Sequence, residues 1–147
     1  MTHRDLQQFL DIHGVEATIL TLDEHTETVS AAARVLGVET DQIIKSLVFT
    51  VADTPLLVIN NGLARIDRRK LAVALGVGRR QVKFAELDRV LVLTGYEVGS
   101  MPPFGHREKL RTLIDPAVLE RDEIFGGGGS RNAMLRLTAT ELVRMTA

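Results

Sequence analysis

Residues 43–59 read Ile43-Ile44-Lys45-Ser46-Leu47-Val48-Phe49-Thr50-Val51-Ala52-Asp53-Thr54-Pro55-Leu56-Leu57-Val58-Ile59. Two apolar runs lie either side of Asp53-Thr54-Pro55, and runs so closely joined predict an antiparallel β-hairpin that turns at 53–55. Lys45 is out of place in the first run, because an ammonium inside an apolar strand is costly unless it reaches water, a partner or a ligand. Either it lies at the start of the strand with its head snorkelling to solvent, or it stands as a cation at a pocket rim, gripping a phosphate or orienting an ester.

Working outward, Leu6, Phe9, Leu10 and His13 recur at helical spacing through 4–13, and Gly14 ends that helix. Residues 15–22 read as a strand and 23–28 as a polar connector. Thr28 or Ser30 then caps an Ala-rich helix at 31–36 that stops at Gly37. Beyond the hairpin, Asn60-Asn61-Gly62 reads as a turn, Asp67 caps a helix at 68–75 ended by Gly76, and 86–93 forms another short helix. Residues 96–105 form a structured loop, 111–114 and 123–125 are short strands, and a four-glycine run precedes a strand at 133–137 and a capped helix at 138–145. Mixed helices and strands without strict alternation predict an α+β class with a mixed or antiparallel sheet.

At 147 residues the chain fits a single domain, 1–147. The absence of cysteine excludes disulfides, thiolate zinc sites and a cysteine nucleophile. A net charge of −1 excludes a bulk-basic nucleic-acid binder but not a local basic patch. With no Trp, one Tyr and five Phe, an interleaved aromatic platform for single strands is not expected. The first residues lack the layout of a signal peptide and no apolar run is long enough for a membrane span, so the expectation is a cytoplasmic protein with no membrane partner.

Several other segments are candidates for chemistry. Gly126-Gly127-Gly128-Gly129-Ser130-Arg131 lacks the lysine of a phosphate loop, which disfavours a nucleotide-binding regulator, and no helix opens directly after it as in a dinucleotide fingerprint. The run is either a mobile turn or a place where backbone approaches a ligand closely and offers N–H donors. Gly99-Ser100-Met101-Pro102-Pro103 couples a permissive glycine to two stiff prolines, which suits either a crossover connection or a rigid oxyanion loop. The four histidines show no metal-ligand spacing, so no metal is expected, and His25 is either a solvated loop residue or a base or substrate contact. No Gly-x-Ser-x-Gly elbow is present. Arg65, Arg68, Arg69, Lys70, Arg79, Arg80 and Lys83 form a basic segment that is either a solvated face or a grip on a nucleic-acid backbone.

Taken in order, the Ala-rich helix ending Leu36-Gly37, Asp41-Gln42-Ile43-Ile44-Lys45-Ser46-Leu47-Val48, Asp67-Arg68-Arg69-Lys70-Leu71-Ala72 running to Leu75-Gly76, Gly95-Tyr96-Glu97-Val98-Gly99-Ser100-Met101-Pro102-Pro103-Phe104-Gly105, and a Gly-Gly segment before the last strand resemble one family. It is the YbaK-type family of free-standing aminoacyl-tRNA deacylases, related to the editing domain inserted in bacterial prolyl-tRNA synthetases. The resemblance runs from about residue 15 to the end. It implies a curved mixed-direction sheet flanked by helices, no cofactor, and hydrolysis of the ester joining a wrong amino acid to the tRNA 3′ end. The family's motif lysine falls on Lys45, followed by Ser46; its loop glycine and proline fall on Gly99 and Pro103; its glycine pair falls within Gly126 to Gly129. Lys45 and Gly99 then carry catalysis, by anchoring the terminal nucleotide and stabilising an oxyanion.

Ser46, His25, Met101, Pro103, Gly127 and Gly128 are expected at the substrate, with Ile44, Leu47 and Met101 as candidate walls. Arg68, Arg69, Lys70, Arg79 and Arg80 are expected to hold the acceptor stem. A local patch of this kind suffices if the protein works beside an aminoacyl-tRNA synthetase that already binds the tRNA. Pro102, where relatives often carry a small polar residue, bears on amino-acid selectivity. Water attacks the activated ester, and a cysteinyl substrate brings its own thiol. The alternative is a non-catalytic tRNA- or synthetase-binding module of the same fold.

Overall fold

The structure, a computed structural model, describes residues 1–26 and 28–147; Glu27, in the polar connector, lies outside the described residues. The helices are α1 (His3–His13), α2 (Val29–Leu36), α3 (Arg68–Leu75), α4 (Leu87–Thr94) and α5 (Ala139–Thr146). The strands are β1 (Ala17–Thr21), β2 (Ile44–Val51), β3 (Thr54–Asn61), β4 (Val82–Phe84), β5 (Thr112–Ile114), β6 (Glu123–Gly127) and β7 (Ala133–Thr138). Short 3-10 turns occupy Thr40–Gln42, Arg79–Gln81 and Pro116–Glu120. The side chains of Thr28, Asp67 and Thr138 accept hydrogen bonds from first-turn amides of α2, α3 and α5, so Thr28 rather than Ser30 is the cap of α2.

The hairpin forms as expected but turns earlier. Val51 pairs with Thr54, leaving Ala52 and Asp53 as the two-residue connection, with φ of 49° and 68°. A two-residue hairpin loop takes positive φ at both positions to match strand twist, so Thr54 and Pro55 belong to β3 and not to the turn. Asn60 and Asn61 also extend β3, opposite Lys45 and Ile44, and the chain turns at Gly62. Both asparagines tolerate burial because their amides donate: Asn60 Nδ2 to the Ala64 carbonyl at 2.9 Å, Asn61 Nδ2 to the Asp41 carbonyl at 2.8 Å.

The architecture is α+β, with the strands divided between two sheets. One has the order β1-β7-β6 and is antiparallel; the other is β4-β2-β3-β5, with β3 and β5 parallel. Strand alternation sends Ile44 and Val48 into the main core with Leu6, Leu10, Tyr96 and Leu135. Phe49, from the other face of β2, packs beneath α3 with Leu56, Val58, Leu71 and Val82. Burial on both faces explains why β2 reads as a nearly continuous apolar run. A third cluster seats Ala32 and Ala33 of α2 on Phe125 and Met134. The sheets meet where Ile43 bridges Phe125 in parallel, which brings the end of β6 beside the start of β2. No helix among the described residues is long and apolar enough to cross a membrane.

Candidate active site

The loop from Gly95 to Gly105 is held from several sides. Below it, Tyr96 is fully buried, and the Thr94 hydroxyl accepts from the Tyr96 amide at 3.0 Å while donating to the Val90 carbonyl at 2.7 Å. Behind it, His106 Nε2 donates to the Pro102 carbonyl at 2.7 Å. Burial holds that imidazole below its usual pKa, opposed by the bond to Pro102. In front, the Gly129 amide donates to the Ser100 carbonyl at 2.8 Å. Fastened in this way, the loop carries Gly99 at φ 96°, a conformation that L side chains adopt only under strain.

The glycine run supplies the facing wall, and the amides of Gly128 and Gly129 are already given to the Ala133 and Ser100 carbonyls. Gly126 and Gly127 end β6, pairing with Leu135 and Met134. A Cβ on Gly127 would overlap the Met101 carbonyl oxygen and lie 2.8 Å from the Ser100 oxygen. A Cβ on Gly128 would lie 2.5 Å from the Ala133 carbonyl carbon. Glycine is required here because backbone touches backbone.

Between these walls and the start of β2 lies a cavity of about 240 Å³. Of the residues expected at the site, Lys45, Ser46, Gly99, Met101 and Gly127 all line it, together with the expected wall residues Ile44 and Leu47. Lys45 Nζ donates to the Ala64 carbonyl at 2.6 Å, and its pKa is lowered, first by burial and then by the charge of Arg65. Gly99 and Met101 both line the cavity, and their amides make no hydrogen bond among the described residues, so this segment of the loop carries two backbone donors without a protein partner. Lys45 is the only charged side chain among the described lining residues.

Three expected contacts lie elsewhere. His25 is exposed and does not line the cavity; its neighbours Thr26 and Thr28 do, with Thr26 only 6% exposed and its amide donating to the Arg131 carbonyl at 3.0 Å. Pro103 faces a separate cavity of about 370 Å³ behind the loop, shared with Phe9, His13 and Met145. Gly128 packs against Ala133 and not against the cavity. Sequence reasoning also missed Val98, Val29 and Met134, whose only signal was proximity to the loop, to the cap of α2 and to the glycine run.

Of the basic segment, Arg68, Arg69 and Arg79 gather around one surface depression. Lys70 faces a neighbouring cavity, and Arg80 is exposed outside both. Among the described residues, no three His, Cys, Asp or Glu side chains come together as a metal-binding group.

Residues 23–145 match the aminoacyl-tRNA editing domain family. The uncharacterized protein YwhH of Bacillus subtilis (strain 168) is 32% identical over 128 residues, covering 86% of this chain and 80% of that protein. The multifunctional Ser/Thr-tRNA deacylase ProXp-y of Escherichia coli (strain K12) is 28% identical, covering 99% of this chain and 88% of that protein. A solved structure proposed to be a trans-editing enzyme for prolyl tRNA synthetase superimposes with a TM-score of 0.90 at 32% identity, over 98% of this chain and 90% of that one. With its motifs, its fold and most of its length in agreement, the chain belongs to the aminoacyl-tRNA editing domain family.

Proposed function

We propose that this protein is a trans-editing hydrolase that deacylates mischarged tRNA by hydrolysing the aminoacyl ester at the 3′ end. One observation carries the reading: the cavity pairs two unpartnered backbone donors, on Gly99 and Met101, with one cation, Lys45. An aminoacyl ester is already activated, so the site needs no strong nucleophile; it must hold the carbonyl, stabilise the tetrahedral oxyanion and admit water. The amides of Gly99 and Met101 receive the oxyanion. Lys45, whose ammonium lies at the Ala64 carbonyl, anchors the 3′-terminal nucleotide or its phosphate. A cavity of about 240 Å³ accommodates an aminoacyl group and leaves the nucleotides outside. The patch of Arg68, Arg69 and Arg79 draws the acceptor stem by charge, alone or beside a synthetase that already holds the tRNA.

The test is release of amino acid from alanyl-, cysteinyl-, seryl- and threonyl-tRNAs carrying the wrong pairing, with Lys45→Ala alongside. At least one substrate is expected to turn over, and Lys45→Ala to lower kcat/KM about 10- to 100-fold, the worth of one charge-assisted contact. Binding without turnover across the panel selects the non-catalytic module instead. Full activity in Lys45→Ala removes that residue from the mechanism.

A further inference from the structure

A second cavity, of about 450 Å³, lies on the α3 face of the β2–β3 sheet, immediately beyond Lys45. One hydrogen-bonded node links the linings of the two cavities. Lys45 and Asn60 pair across β2 and β3, and both donate to the Ala64 carbonyl, at 2.6 and 2.9 Å. Lys45 lines the first cavity; Asn60 and Arg65, the residue after Ala64, line the second. Asn60 is 2% exposed and its Oδ1 has no hydrogen-bond partner among the described residues, an acceptor left without a donor in the wall.

The lining of this second cavity is mixed in a way that narrows its occupant. Val58, Leu71 and Leu113 give an apolar floor, Arg65 and Lys70 give two cations, and Asp67 and Asp115 give two carboxylates, of which Asp67 already accepts from the Arg69 and Lys70 amides at 2.9 and 3.2 Å. Asp115 spends Oδ1 on the Ala117 amide at 2.9 Å, capping the turn at Pro116–Glu120 and leaving Oδ2. A ligand that suits all three surfaces has a flat body, an anionic group and an amine donor. A nucleotide whose base bears an exocyclic amine meets that description, because carboxylates accept from such amines and cations pair with phosphate.

We propose that this cavity is a nucleotide subsite that seats the residue preceding the esterified adenosine, with its phosphate on Arg65 and Lys70 and the amine of its cytosine on Asp115. The identity of the ligand rests on the deacylase reading: with the ester in the first cavity and the terminal nucleotide at Lys45, the strand must pass this wall. The floor is aliphatic, so the subsite depends on charge and on the amine contact and needs no aromatic platform.

Fluorescence anisotropy of 5′-labelled trinucleotides CCA and UUA tests this without reference to turnover. The wild-type protein is expected to bind CCA more tightly than UUA by about 5-fold or more, the lower end of discrimination by one good base contact. Arg65→Glu/Lys70→Glu is expected to weaken CCA at least about 10-fold and to flatten the salt dependence by about 1.4 in log–log slope, as the loss of two phosphate contacts on a single strand requires. Asp115→Asn keeps a cap oxygen but presents an amide donor, so the preference is expected to shift toward UUA, whose uracil offers an acceptor. Thermal unfolding of each variant confirms that it is folded. Equal affinity of the wild type for the two trinucleotides, or a charge reversal without effect, overturns the subsite. Hydrolysis of mischarged tRNA without such discrimination rejects the subsite and keeps the deacylase; discrimination without hydrolysis does the reverse.

Discussion

Placing a methyl group on Gly127 tests whether the cavity wall is made of touching backbones. The new Cβ would overlap the Met101 carbonyl oxygen and lie 2.8 Å from both the Met101 carbonyl carbon and the Ser100 oxygen, against an ordinary contact of 3.4 Å or more. Those two atoms, and the loop with them, must therefore retreat by about 0.6 Å from the new Cβ, and the Met101 oxygen further. Forcing a methylene into packed surroundings costs about 1–3 kcal/mol. At about 2–4 °C per kcal/mol for a chain of this size, Gly127→Ala should melt roughly 2–12 °C below the wild type.

Activity should suffer more than stability. A misplacement near 1 Å at a preorganised site costs about 100-fold in rate, and here the displaced segment carries the Gly99 and Met101 amides. Deacylation is measured well below the melting temperature, with Gly14→Ala as control. Gly14 ends α1 at φ 60° with nothing within 4 Å of an added Cβ, so its substitution loses about 1–2 kcal/mol through backbone strain and should leave the rate unchanged. A Gly127→Ala protein that melts and turns over like the wild type would refute the wall. So would a rate loss no greater than that of the control.

Three further outcomes follow from the same geometry. Burial and the Arg65 charge both lower the pKa of Lys45, so its ammonium is lost as pH rises through a value below that of an ordinary lysine. After subtraction of the spontaneous ester hydrolysis, the alkaline fall in kcat/KM should begin there, and Arg65→Gln should move it upward. Tyr96 is fully buried and its hydroxyl has no partner among the described residues, while burial pushes its pKa up to about 12. Tyr96→Phe removes an unsatisfied polar group and should leave the melting temperature equal or raise it, by up to about 1 kcal/mol of stability; a clear drop would show that the hydroxyl is satisfied. Arg68→Glu/Arg69→Glu/Arg79→Glu should raise KM for tRNA with kcat unchanged and reduce its salt dependence, and a loss in kcat instead would place these side chains in the chemistry.

What could be read in the sequence was local. The hairpin, the Asp67 cap and the glycines that end the first three helices follow from neighbours within a few residues, and apart from the hairpin's turn they stand where the residues imply. β4 was hidden inside the basic segment because only Val82 is buried; its strand character comes from pairing with Phe49 to Val51, more than thirty residues away. The parallel pairing of β3 with β5 is equally non-local. Site residues follow the same division. Lys45 and Gly99 announce themselves by being anomalous where they stand. His25 and Thr26, by contrast, are adjacent polar residues in one connector, and the contact between Thr26 and the Arg131 carbonyl turns the second inward. Pro103 belongs to the right loop but faces its other side, which only the packing of Phe9 and Phe104 reveals.

The proposed chemistry, which relies on backbone amides, relocates the demands on the chain. No described side chain lining the cavity is a carboxylate or an imidazole, so no acid–base pair has to be tuned there. What the proposed mechanism requires is a fixed position of two amides relative to Lys45, and the polar bonds of the loop are placed where they would hold it. Thr94 fixes its entry, Gly129 its front and His106 its back, each through a main-chain atom of the loop. The His106 bond is suited to that task. Nε2 is the donor to the Pro102 carbonyl, and it carries a proton both in the corresponding neutral tautomer and in the imidazolium, so the fastening does not depend on the protonation state. Burial lowers the imidazole pKa all the same, which disfavours a second positive charge behind the loop and leaves Lys45 as the one charged side chain among the described lining residues. A near-neutral, cysteine-free chain is consistent with this economy, because in the proposed reaction the electrophile arrives activated and the protein contributes mainly fixed geometry.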